Sequence, residues 1–342
     1  MELDNRIKND SEREAIQLIR KKHYLKREHY TVRDGKITGM EFRIMKSIPE
    51  TIGKLINLEN LKISWTKLSV IQNLENLRNL KSLTLDNNKI SEIKGLDLLE
   101  NLTYLEISDN PKLSKIKGLD YLHNLSTLKI KDCNIKEISG LENLRNLTEL
   151  NLGGNKIREV KGLDNLQKLQ NLNLGGNEIR NFEGIEALKD LKCLNLNYNS
   201  IKEVRGLHEL KSLETFKMLG NEKLKVIEGL KQLKNLKKLD LNLSNECSRE
   251  YRYLEIRLKA KLEATTPSYS STTSTFSKTT SHAPPKTTPK STFDQLGYQQ
   301  QQAKQKQMMQ QKIQQEQMHK QQRREQAREA WKPYTQQDDP DD

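Results

Sequence analysis

The sequence predicts an α/β solenoid: short coils stacked side by side, with a curved parallel β-sheet on the concave face and turns and short helices on the convex face. Two observations predict it. A leucine pattern recurs about every 22 residues, and of the 342 residues only 34% are apolar and 5% aromatic, while 31% are charged. A deep globular core needs more apolar material, whereas a shallow repeated core does not.

The unit reads L-x-x-L-x-L-x-x-N-x-I-x-x-I-x-G-L-x-x-L-x-x. Its register leucines are Leu58, Leu80, Leu102, Leu125, Leu147, Leu169, Leu191, Leu213 and Leu236. Two units carry one extra residue, at Asn110-Pro111-Lys112-Leu113 and Asn221-Glu222-Lys223-Leu224. In L-x-L the side chains alternate faces, so Leu150 and Leu152 point into the core and Asn151 and Gly153 point out, giving a short strand. The following asparagine (Asn88, Asn110, Asn155, Asn177, Asn199, Asn221, with Cys133 in its place once) is expected to bond backbone groups freed where the strand turns away. The glycine before the next leucine, such as Gly118 or Gly162, permits a tight convex bend.

A solenoid exposes core at both ends, so helical N- and C-terminal caps are expected. Residues 1–36 read as an N-terminal helical and hairpin cap. Ser11-Glu12-Arg13-Glu14 has the form of a capping box, Ala15, Leu18, Ile19, Lys22 and Leu25 follow at helical spacing, and Asp34-Gly35 is a hairpin turn between Tyr30–Arg33 and Lys36–Phe42. Residues 37–57 form a variant first repeat and 58–245 the regular repeats. Residues 246–264 form a capping helix with Tyr251, Leu254, Leu258 and Leu262 near one face. Residues 265–298 are a Ser/Thr/Pro-rich linker offering phosphorylation sites, and 299–342 a Gln-rich tail with an acidic end. The linker is too poor in apolar surface to fold, and in the tail Met308, Met309, Ile313 and Met318 are too sparse for a heptad seam, so the C-terminal tail is expected to be disordered, with a loose or partner-induced helix rather than a stable coiled coil.

The net charge of +13 arises from 59 basic and 46 acidic residues mixed along the chain. The densest runs, Arg20 to Arg27 with the single aromatic Tyr24 and Lys231 to Lys238 with none, lack the array of interleaved aromatics that stacks bases and read as solvated faces. Three scattered cysteines (Cys133, Cys193, Cys247) form no zinc or disulfide spacing. The start, MELDNRIKND, has no signal-peptide apolar stretch, and no run has the length of a membrane span. A cytoplasmic or nuclear monomer away from membranes is expected. The sequons at Asn101, Asn124, Asn146 and Asn242 then read as repeat wording rather than glycan sites. The six histidines show no ligand spacing, and no phosphate loop, nucleophile elbow or zinc-protease pattern occurs, so neither an enzyme nor a cofactor is expected.

The wording N-x-I-x-x-I-x-G-L from about Leu58 to Leu241 resembles the 22-residue class of leucine-rich repeats typified by the regulatory subunit of type-1 protein phosphatase. The repeat is also similar to that of bacterial surface invasion proteins, which carry secretion and wall-anchoring signals not found here. The front segment, with Ser47-Ile48-Pro49-Glu50-Thr51-Ile52-Gly53, looks like the longer repeats of microbial and plant proteins. The phosphatase resemblance implies a leucine-rich-repeat solenoid that docks a protein partner through outward concave residues, as a non-catalytic scaffold or a phosphatase-type signalling regulator. The corresponding positions here are Trp65, Asp86, Glu106, Asp109, Lys129, Lys131, Asn151, Asn173, Asn195, Tyr198 and Lys217. Trp65 and Tyr198 are the expected anchors, because aromatics dominate interface energetics. Nucleic acid is the second reading: an RNA or ribonucleoprotein adaptor, suggested by the net charge and the basic Gln-rich tail.

Overall fold

The computed structural model describes residues 4–23, 26–42, 46–241 and Met318. The expected capping helix at 246–264, the linker, the tail (Met318 aside), Asn242 and Cys247 lie outside the described residues.

Helix α1 spans Asp10–His23. Asn9 caps it, its side-chain oxygen accepting the Glu12 N–H at 3.0 Å, so the helix starts ahead of the expected box at Ser11. The inward face is Glu12, Ala15, Ile16 and Ile19, while Leu18, expected on that face, is 39% exposed. The reason is Glu12. Its buried carboxylate accepts the Ile37 N–H at 2.9 Å and the Asn57 amide at 2.8 Å, which ties helix, hairpin and first repeat together and sets the helix rotation.

The hairpin has its expected bounds, β1 Tyr30–Arg33 and β2 Lys36–Phe42, turning through Asp34 (φ 51°) and Gly35 (φ 81°). Strand β2 then pairs in parallel with β3 (Asn60–Ile63), so the same segment closes the hairpin and opens the repeat array. One strand per coil follows: β4 Ser82–Thr84, β5 Tyr104–Glu106, β6 Thr127–Lys129, β7 Glu149–Asn151 and β8 Asn171–Asn173. Beyond β8 short convex strands, β9 Asn181–Phe182, β11 Glu203–Val204 and β13 Val226–Ile227, alternate with the sheet strands β10 Cys193–Asn195, β12 Thr215–Met218 and β14 Lys238–Leu241. Strands β1 to β8, β10, β12 and β14 form one eleven-stranded sheet, and β9, β11 and β13 a small parallel sheet on the opposite side.

Register is uniform. Leu61, Leu83, Leu105, Leu128, Leu150, Leu172, Leu194 and Phe216 lie opposite one another on successive strands, and all are buried. The core runs without a break from Ile7 to Leu241. On the convex side, Gly118 (φ 74°) bends so tightly that a Cβ there would stand 2.4 Å from the Ile93 carbonyl oxygen.

Asparagines stitch the coils at two levels. In the buried row, the Asn155 amide group donates to the carbonyls of Ile130 (2.7 Å) and Leu152 (2.9 Å) while its oxygen accepts the Ile135 N–H at 3.0 Å. Asn177, Asn199 and Asn221 repeat this arrangement. In an outer convex row, Asn101, Asn124 and Asn146 donate to the preceding coil's carbonyls at Arg78, Glu100 and His123, each at 2.9 Å. Three of the four sequon asparagines are thus repeat hardware.

Candidate functional site

The outward side of the large sheet is the one extended face the coils share. Alternation buries the leucine in the middle of each short strand and sends the residue after it outward, which places Glu106, Lys129, Asn151, Asn173, Asn195 and Lys217 in one row across β5, β6, β7, β8, β10 and β12. Asp86 and Lys131 stand two residues further along their coils, in a parallel row with Gly153 and Gly175.

Trp65, Asp109 and Tyr198 fall one residue beyond that row. They are not extended: their φ values are 59°, 55° and 56°. Asn87, Asp132, Gly154, Gly176 and Gly220 hold the same turn and also have positive φ. From Trp65 to Tyr198 each of these turns donates its N–H to the next coil, as Trp65 does to Asp86 (3.2 Å) and Tyr198 to Leu219 (2.6 Å). These residues therefore form a rim along one edge of the sheet. Trp65 and Tyr198 stand six coils apart, about 29 Å at strand spacing, so one compact element cannot touch both.

The front of the wall is ionic. Asp86 accepts the Ser64 hydroxyl and the Asn87 amide. Tyr104 donates its hydroxyl to Glu106 at 2.7 Å; burial, and then this bond, push its phenol above the ordinary range. Lys129 pairs with Glu149 at 3.1 Å and lies 5.4 Å from the Tyr104 ring centre. Tyr104 and Glu149 were not anticipated. They sit one position before the first core leucine of the strand, and extending the two-residue alternation backward by one step would have found them.

The middle is an uncharged floor. The side-chain oxygens of Asn151, Asn173 and Asn195 accept the N–H of the residue two further on, at 3.1, 3.0 and 3.0 Å, and Asn173 also donates to Asn151 at 3.0 Å. These amides are locked in place by the fold. At the back, Tyr198 is 39% exposed, and its ring lies where a Cβ on Gly220 would be, 2.5 Å from Cδ1. Burial raises its phenol pKa.

Where the hairpin overhangs the sheet, an open cavity of about 320 Å³ is lined by His29, Thr31, Glu41, Lys62 and Thr84 among others. No group of three or more His, Cys, Asp or Glu able to hold a metal occurs among the described residues. No helix among them is long and apolar enough to cross a membrane.

Residues 78–121, 123–165 and 145–190 match the family model described as leucine rich repeats, 2 copies. Among solved structures, the chain is similar to a leucine-rich-repeat protein of Leptospira interrogans, with 29% identity and a TM-score of 0.55 over 58% of this chain and 52% of that one. It is also similar to two internalins of Listeria monocytogenes. One has 24% identity and a TM-score of 0.49, over 63% of this chain and 62% of the other. The second has 27% identity and a TM-score of 0.48, over 53% and 79%. The chain thus spans less than two thirds of the Leptospira protein and of the first internalin. No curated protein sequence matches it.

Proposed function

We propose that this leucine-rich-repeat solenoid is a non-catalytic scaffold or regulatory subunit that docks a protein partner on the outward face of its large sheet. The observation that supports it most is the continuous parallel array from β2 to β14, which holds a row of half-buried or exposed outward side chains in fixed register. A broad, rigid wall of this kind meets the requirement for pre-organised association, because little order has to be imposed on binding. The repeat wording supports the narrower reading of a phosphatase-type signalling regulator. The free thiols of Cys133 and Cys193 support a reducing setting, cytoplasmic or nuclear.

Affinity capture from native lysate with the full chain, compared with Trp65→Ala/Tyr198→Ala, tests the proposal. Loss of the captured protein is the expected result; unchanged capture would move the site off this face. The second reading, an RNA or ribonucleoprotein adaptor, draws on the net charge of +13 and requires binding that falls steeply as salt rises. Asp86, Glu106, Asp109 and Glu149 on the wall and its rim speak against phosphate there.

A further inference from the structure

Several carboxylates on the wall are matched by a cation from within the chain: Glu41 by Lys62 (3.4 Å), Glu149 by Lys129 (3.1 Å) and Asp240 by Lys238 (3.8 Å). Asp86 and Glu106, on adjacent coils, differ. Asp86 is bonded by a hydroxyl and an amide and Glu106 by the Tyr104 hydroxyl, all neutral groups. Among the described residues no salt bridge reaches either one, although the chain carries 59 basic residues. These two half-buried neighbours, joined by no salt bridge among the described residues, keep carboxylate oxygens that an incoming cation can pair with.

The same stretch of wall already seats one cation, for the Lys129 ammonium lies over the Tyr104 ring. On the other flank Trp65, half-exposed, donates its backbone N–H to the Asp86 carbonyl. A carboxylate bonded to a tyrosine, as Glu106 is to Tyr104, suits guanidinium better than ammonium, because its planar fork bonds carboxylate oxygens while its face stacks on a ring.

We infer that the front of the wall, from Trp65 to Glu106, receives an arginine-bearing segment of the partner protein. This rests on the reading of the outward face as a protein-docking surface and names the chemistry of what docks there.

The test uses the full chain and a fluorescent peptide, Gly-Ser-Arg-Gly-Arg-Ser-Gly, with a version carrying citrulline at both arginines and a single-stranded uridine 20-mer for comparison. Saturable binding of the arginine peptide is expected, weakened about tenfold or more by Asp86→Asn/Glu106→Gln and by citrulline. Melting temperatures should be unchanged, since no internal cation is orphaned. Absence of saturable binding below 1 mM, or affinity within twofold in the neutralised variant, overturns the inference, as does RNA binding tighter than the peptide. If Trp65→Ala/Tyr198→Ala abolishes partner capture while Asp86→Asn/Glu106→Gln leaves capture and peptide affinity unchanged, the docking face stands and only its arginine specificity fails.

Discussion

The backbone N–H of Leu113 donates to the carbonyl of Asn110 at 3.0 Å, closing the longer turn onto itself. This bond explains why a cysteine is tolerated one coil later. In the regular coils the equivalent N–H, such as that of Ile135, is taken by the side-chain oxygen of the next coil's asparagine. After the longer turn that acceptor is redundant. Cys133 supplies only the donor half, with Sγ 3.4 Å from the carbonyls of Ile107 and Lys131. The second longer turn closes in the same way, Leu224 donating to the Asn221 carbonyl at 3.1 Å.

Cysteine should therefore be harmless at 133 and costly elsewhere in the row. Asn155→Cys leaves the buried Ile135 N–H without its acceptor and should destabilise by about 1–3 kcal/mol, whereas Cys133→Asn should change stability by less than about 1 kcal/mol. Urea unfolding of both variants settles the point. Equal losses would mean the longer turn plays no part.

Removing one spine leucine tests the stacking itself. Leu172 is buried and lies opposite Leu150 and Leu194. Leu172→Ala should cost about 2–5 kcal/mol, seen as a lowered urea midpoint. A midpoint matching the wild type would disprove the register.

Much of this architecture is legible in the sequence, and the reasons are local. The L-x-L alternation needs only strand geometry, Asp34-Gly35 marks its hairpin because both residues accept positive φ, and the buried asparagines announce themselves by recurrence. The rim was not legible from alternation. Trp65, Asp109 and Tyr198 read as strand residues because a two-residue period presumes an extended chain, and in fact the backbone has already turned left-handed. The signal lay down the column rather than along the chain: Asn87, Asp109, Asp132, Gly154, Gly176 and Gly220 are the residue types that tolerate that conformation. The rotation of α1 was hidden for another reason. It is decided by Glu12 reaching Ile37 and Asn57, contacts distant in sequence, so an apolar count favoured Leu18 over Ile16.

The seat of Tyr198 gives a test that separates rim geometry from general stability. Gly220 has φ 74° and no room for a Cβ beneath the tyrosine ring. Gly220→Ala should cost about 1 kcal/mol of backbone strain and also displace the ring. Gly176, with φ 69°, would meet only backbone of Gly154, at 3.4 Å, so Gly176→Ala should show the strain without the displacement. Tyrosine fluorescence anisotropy and partner capture should change in the first variant and stay nearer the wild type in the second. The same response in both would show that the ring does not depend on its glycine seat.

The N-terminal latch predicts a pH dependence of definite sign. Asp4, 4% exposed, accepts from the Arg6 guanidinium at 2.6 Å and from the Tyr30 hydroxyl at 2.5 Å. The Arg6 bond first, and the Tyr30 bond after it, hold the Asp4 carboxyl well below the usual carboxylate range against the opposing effect of burial. A depressed carboxylate contributes stability that is fully present above its unfolded pKa of about 3.9 and is lost as the pH falls towards its folded value. Asp4→Asn should therefore cost about 1–3 kcal/mol near neutral pH, the range for hydrogen bonds to a charged group. The gap between variant and wild type should stay constant from about pH 6 to 8 and narrow below about pH 4. Thermal melts across that range measure it directly. A gap that widened on acidification would mean that Asp4 is folded in its protonated form and that Arg6 does not hold it.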